Sequence, residues 1–230
     1  MRFQGKPFLQ YVIVGIGFSA LGHSARASDI SGLYFGGNAG AAQIDYDNAR
    51  YQQQLEGQVV GLGTLDFTGA SLRKRNAAWW VDTGMMFSPY VGAELDYYHF
   101  GVLYNHVTGT YTPTLGTAES VGAATLVRSD GPALGVVLRL PLTESFDVKL
   151  RLADYYGRTT LVNILNAFKT QVSKEAANSS SLLVAAGASY TFDGHWSAHV
   201  DYVRVNQAGN SSNVVKYNVD MATVGVSYTF

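Results

Sequence analysis

The chain contains no cysteine, only 14% of its residues are charged, and past its N-terminal segment no apolar run is long enough for a membrane-spanning helix. The missing cysteines exclude a disulfide framework and a thiolate metal site. A balance of 16 basic against 17 acidic residues excludes the basic footprint of a nucleic-acid binder. What is plentiful is glycine (25), tyrosine (15) and valine, a composition that suits strands better than helices.

The N-terminus reads as an export signal. Arg2 and Lys6 precede an apolar stretch from Phe8 to Leu21, followed by Ala25-Arg26-Ala27, which predicts a leader 1–27 cleaved after Ala27. The stretch is shorter than the roughly twenty residues a spanning helix needs. Cleavage removes Arg2, Lys6 and Arg26 and no acidic residue, leaving the exported domain, 28–230, at a net charge of −4.

At the other end, Ala222, Val224, Val226, Tyr228 and Phe230 share one face of a period-two strand, with Thr223, Gly225, Ser227 and Thr229 on the other. One face suits lipid and the other a polar lumen. Alternating segments recur at 32–44, 76–87, 90–100, 132–140, 146–156, 182–192, 196–205 and 218–230, near the nine to eleven residues a tilted strand needs to cross a bilayer. Tight links at 88–89, 141–145 and 193–195 alternate with long ones at 45–75, 101–131, 157–181 and 206–217. Short periplasmic turns and long outer loops are the asymmetry of an outer-membrane barrel. The fold class is therefore all-β, an eight-stranded antiparallel up-and-down transmembrane β-barrel, located in the outer membrane.

Parity then sorts the side chains. Leu95, Tyr97, Leu134, Val136, Leu138, Leu150, Leu152, Leu182, Val200 and Tyr202 fall outward, broken only at the loop end by His99, Asp154, Arg204 and Asp220. Aromatics mark two girdles: Phe87, Phe146, Phe192, Trp196, Tyr228 and Phe230 at the turns, and Trp79, Tyr97, Tyr156 and Tyr202 at the loops. Inward fall Asp82, Glu94 and Asp96 against Arg139, Lys149 and Arg151, with His199 and Asp201 farther round. In so narrow a barrel these charges must pair or stay hydrated, either as a plug or as a gate for a narrow ion path.

Tyr90–Gly101, Leu138–Phe146 and Val224–Phe230 resemble the transmembrane domain of the outer membrane protein A-like family. The resemblance implies an eight-stranded barrel with a polar, mostly occluded lumen, and places Glu94, Arg139 and Lys149 among its lumen charges. Thr223, Gly225, Tyr228 and Phe230 match the C-terminal signal read by the barrel-assembly machinery. The family's peptidoglycan-binding domain is not expected, because the chain ends with its last strand. The expected role is structural or surface-interacting, with a low-conductance channel for ions or small solutes as the alternative. A lipid A-modifying or proteolytic enzyme is the less favoured one: no serine follows His99, His106 lies in a loop, His195 in a turn, and although Glu94 and Asp96 have the acid spacing a protease would need beside His199 and Asp201, eight strands argue against the ten-stranded protease family. No cofactor or metal is expected. Expected partners are outer-membrane lipid, lipopolysaccharide phosphates at Arg73, Lys74, Arg75 and Arg204, and a host or surface ligand at the loops. Within the third loop, Leu161–Phe168 reads as a short apolar helix, either capping the mouth or offering a sticky surface to a partner.

Overall fold

A computed structural model of the chain describes residues 32–45, 63–73, 75–165, 170–209 and 216–230. The expected leader 1–27, Lys74, the side chain of Arg73 and much of the first loop lie outside the described residues.

Nine strands follow in order: β1 (Leu33–Asp45), β2 (Gly63–Arg73), β3 (Arg75–Met86), β4 (Val91–Pro113), β5 (Glu119–Pro141), β6 (Phe146–Leu165), β7 (Thr170–Thr191), β8 (Trp196–Ala208) and β9 (Tyr217–Thr229). All pairings are antiparallel. Eight strands form the ring β1-β3-β4-β5-β6-β7-β8-β9, which closes where β9 meets β1. β2 continues the line of β3 upward, since both run antiparallel to β4, β3 against Gly92–His99 and β2 against Tyr104–Pro113. Closure leaves no strand edge to hydrocarbon, the condition lipid imposes on a sheet.

All eight expected segments are strands, but two of the expected loops are not loops. β4 and β5 hold 23 residues each, β6 20 and β7 22, against 13 for β1, β8 and β9. Ten additional residues at 3.4 Å each, tilted near 40°, raise one side of the wall by roughly 25 Å. Most of 101–131 and 157–181 is therefore wall, His106 lies in β4, and Leu161–Leu165 is strand rather than helix. Phase explains the misreading. Inside the membrane the outward positions are apolar, as at Leu134, Leu138 and Leu152. Above it the outward positions are polar (Thr108, Arg128, Arg158, Asn178) and the apolar residues Leu103, Val107, Val127 and Leu161 turn inward and are buried. β4 also slips register between His99 and Val102, with Gly101 at φ +77°. That bulge moves outward parity from odd to even numbers, which breaks a period-two pattern.

The lipid-facing lists are as expected. Leu95, Leu134, Leu140, Leu182 and Val200 are each at least half exposed. Trp196 and Phe230 both pack edge-on against Tyr228 at 5.1 Å at the turn girdle, and Trp79 stands 6.2 Å from Tyr97 at the loop girdle. The charged breaks are satisfied laterally: Arg204 bonds Asp220 at 3.3 Å, His99 faces Asp130 at 3.4 Å, and Ser180 donates to Asp154.

The three tight turns use one device. Ser88 Oγ accepts from the Tyr90 and Val91 amides, Thr143 Oγ1 from Ser145 and Phe146, and Asp193 Oδ1 from His195 and Trp196. A short polar side chain thus replaces a backbone acceptor at the same place each time. The bonds from the Trp196 and His195 amides hold the Asp193 carboxyl below its ordinary value. A depressed folded-state pKa stabilises above the unfolded value and the gain disappears as pH falls through the folded one. Asp193→Ala should lower the temperature of the folded-to-unfolded gel shift at neutral pH, with Asp193→Ser close to wild type. The difference between Asp and Ala should shrink below about pH 4, under the ordinary carboxylate value.

Candidate functional site

The lumen is built in storeys. At the level of the membrane, β3 brings Asp82 inward, β4 brings Glu94 and Asp96, and β6 brings Arg151; all four are buried. Arg151 Nε pairs with Glu94 Oε1 and lies 3.8 Å from Asp96 Oδ2, while its guanidinium carbon sits 4.5 Å from the Trp80 ring centre. The indole is fixed in turn by its Nε1–H, which donates to Thr223 Oγ1 at 3.2 Å. Tyr34 donates to the other Glu94 oxygen at 2.5 Å, Tyr98 to Asp96 at 3.2 Å, and Asn38 to Asp82 at 3.0 Å. One guanidinium therefore serves two carboxylates, and a neutral donor adds one bond to each of the three acids, while Asp96 Oδ1 is left without a partner among the described residues. Hydrogen-bonded compensation of this kind is what lets charge survive burial.

Glycine makes the room. Glu94 is flanked across the ladder by Gly84 and Gly135, and Lys149 and Asp201 both face Gly187. A Cβ on Gly84 would strike the Tyr34 ring, and one on Gly187 would strike the Asp201 carboxylate.

The eight lumen residues expected from parity all face inward but do not form one cluster. Asp82, Glu94, Asp96 and Arg151 come together. Arg139 and Lys149 lie one storey lower, directly opposite each other on β5 and β6. Arg139 pairs at 2.7 Å with Asp147, which the sequence reading missed although it shares the inward parity of Lys149 and Arg151. Tyr34, Asn38 and Trp80 were also missed, because an uncharged lumen donor looks like any other inward residue. His199 donates from Nδ1 to Asp201 at 2.6 Å. Ser189 stands across from His199 in the register, but its hydroxyl donates to Asp147 at 2.7 Å, so the imidazole is offered no nucleophile there. On the outer face His99 packs against Trp79 at 5.4 Å, and His195 in its turn bonds the Thr229 carbonyl at 2.9 Å. Of the residues assigned to lipopolysaccharide, Arg75 is exposed and Arg204 is engaged by Asp220 and Asn206. Thr223 and Gly225 of the terminal motif face the lumen, and Tyr228 and Phe230 join the turn girdle.

Above the charged storey the lumen is filled mainly by aromatic and aliphatic side chains. Trp80 stacks on Tyr98 at 5.2 Å, Tyr98 on Phe100 at 5.6 Å, and Tyr155 packs edge-on against Phe100 at 5.4 Å. Next come Ile44, Leu103, Leu183, Val203, Val205 and Val219, each with no exposed surface. Polar groups persist there as isolated, satisfied hydroxyls, with Ser129, Thr159, Tyr155 and Tyr217 bonded to one another, and the charges are confined to the lower half, where a cavity of about 280 Å³ opens beside Arg139, Asp147 and Lys149.

The sequence matches the OmpA-like transmembrane domain over residues 28–230. Similar solved structures include Neisserial surface protein A, at 13% identity and a TM-score of 0.47, covering 87% of this chain and 98% of that one. Another is Ail, the attachment invasion locus protein of Yersinia pestis, in complex with the heparin analogue sucrose octasulfate (13%, 0.43, 86% and 99%). A third is the outer membrane protease OmpT from Escherichia coli (11%, 0.49, 90% and 99%). No curated relative matches the sequence.

Breaking the charged storey from one side strands its partners. Arg151→Met should cost about 3–5 kcal/mol of folding stability in urea titrations in micelles. The double replacement Arg151→Met with Glu94→Gln should recover part of that loss. Tyr34→Phe, which removes one bond to a carboxylate, should cost about 1.5–3 kcal/mol.

Proposed function

Because the chain belongs to the OmpA-like transmembrane domain family, we propose that it acts as a closed outer-membrane barrel whose work is structural and at the surface, done by the tall β4–β7 wall. The observation that carries this reading is the filled upper lumen. A solute crossing the barrel would have to displace the Trp80–Tyr98–Phe100–Tyr155 stack and then the aliphatic storey above it. Both are larger rearrangements than an exchange of ion-pair partners. In this reading the raised wall carries two long hairpins beyond the headgroups and offers them to lipopolysaccharide sugars and surface ligands.

The turn-side cavity favours a second reading, a narrow channel that opens when Arg151 leaves Glu94 and Asp96. An enzymatic reading has less support, since neither His99 nor His199 is placed against a hydroxyl. Recognition of the terminal strand by the assembly machinery through Thr223, Gly225, Tyr228 and Phe230 belongs to the same proposal.

Planar-bilayer recording separates the first two. Folded protein, verified by heat-modifiable gel migration, should leave the bilayer silent, and Arg139→Ala should not change that. Steady openings altered by Arg139→Ala would replace the surface reading with the channel. For the wall, exchanging 160–177 for a tight turn should leave the barrel folded while binding of the protein to its surface ligand or host cell is lost.

A further inference from the structure

The lower storey contains a charge that the protein leaves incompletely answered. Arg139 and Lys149 are direct cross-strand neighbours, and like charges so placed repel. One carboxylate lies between them, and it is committed: Asp147 Oδ2 takes Arg139 at 2.7 Å, and Asp147 Oδ1 takes Ser189 at 2.7 Å. The Lys149 ammonium meets only the Tyr34 ring, 5.7 Å away, with no carboxylate among the described residues at ion-pair distance. Asp82 above it is within electrostatic reach but is bonded by Asn38, and the Glu94 oxygens are taken by Tyr34 and Arg151. Lys149 instead lines the cavity of about 280 Å³, which Ser227, Ser197 and Glu144 of the β5–β6 turn also line, the Ser197 hydroxyl being bonded to Thr191 Oγ1 at 2.8 Å.

We propose that this cavity is a blind binding site for a small solute carrying one oxyanion head, a carboxylate or phosphate, that enters from the turn end and rests on Lys149. The solute supplies the counter-charge Asp147 cannot, and the Ser227 hydroxyl, with Ser197 where its bond with Thr191 leaves its proton available, donates to its remaining oxygens. Glu144 disfavours a second negative charge on the ligand and favours a neutral or cationic tail. The volume, near the lower limit for ligand pockets, restricts the site to small molecules. The Arg151–Trp80 storey closes its inner end, so the solute is held rather than passed. The site lies at the opposite end from the proposed surface role, so either can fail without the other.

The test is an NMR titration of the refolded full barrel in micelles with acetate, inorganic phosphate and, as a neutral control, glycerol. Acetate or phosphate should shift turn-end amide signals such as those of Gly32 and Gly194 saturably, the ratio of the two affinities identifying the preferred head, and glycerol should not. Lys149→Met should weaken binding about tenfold or more, the loss expected for a hydrogen bond to a charged group, while Lys149→Arg stays within about threefold of wild type. Because that replacement relieves a repulsion, Lys149→Met should fold as well as wild type by gel migration. Equal affinity in Lys149→Met, a response that never saturates, or a strongly destabilised Lys149→Met barrel would overturn the proposal. The last result would make Lys149 a structural counter-ion of Asp82 and Glu94.

Discussion

The pairing of Arg151 with Glu94 and Asp96 is the interaction on which the lumen is organised. Hydrocarbon outside the ring forbids outward charge at mid-depth, and an eight-stranded ring is only wide enough for its own side chains. The charged residues at mid-depth are thereby forced inward, and most of them into contact with one another. Arg151 is suited to this because its guanidinium offers a planar array of donors and a face that stacks on an aromatic ring. Trp80 takes that face, and Thr223 fixes Trp80, so the charge centre is tied from β6 across to β9. The glycines at 84, 135 and 187 are the complement of this arrangement, since each long side chain needs a neighbour with none.

The same strands obey two opposite rules along their length. From the turns to about Tyr97, Leu134, Asp154 and Leu182 they are apolar outside and largely polar inside; beyond, the outward face becomes mainly polar and the inward face mainly apolar. The reversal marks the change of solvent from lipid to water. Above the membrane the wall is held by the hydrophobic effect, which demands an inward core, whereas inside the membrane burial in the lumen gains little from apolar groups. The Gly101 bulge lies close to that boundary and resets the phase of β4.

That reversal also sets what could be read from the sequence. The eight spanning segments and their inward charges were legible because lipid enforces a strict period of two. The upper halves of β4 to β7 were not: they alternate in the opposite sense, and a reading tuned to outward apolar residues sees them as loops. β2 was missed for a related reason, since its register slips between Phe67 and Gly69 and no alternation survives across it. Within the lumen the charged residues were legible and their pairing was not, because parity fixes a face but says nothing of height. Asp147 shares the inward parity of Arg151 on its own strand but lies nearer the turns, and there it bonds Arg139 while Glu94 holds Arg151.

Sealing the lumen and raising the wall are one physical event in this barrel. Leu103, Val107, Val127 and Leu161, which turn inward above the membrane, are part of the cluster that includes Phe100 and Tyr155. A wall standing in water cannot keep an apolar inner face open to solvent, so it closes on whatever lies across the ring. Here that is Ile44, Val203, Val205 and Val219 of the short side. An open upper lumen would expose this core and remove the burial that holds the extension upright. The turn end carries no such extension, and there the interior stays polar and accessible. The asymmetry in strand length thus dictates the asymmetry in the lumen: closed and mainly apolar toward the displayed wall, open and charged toward the turns.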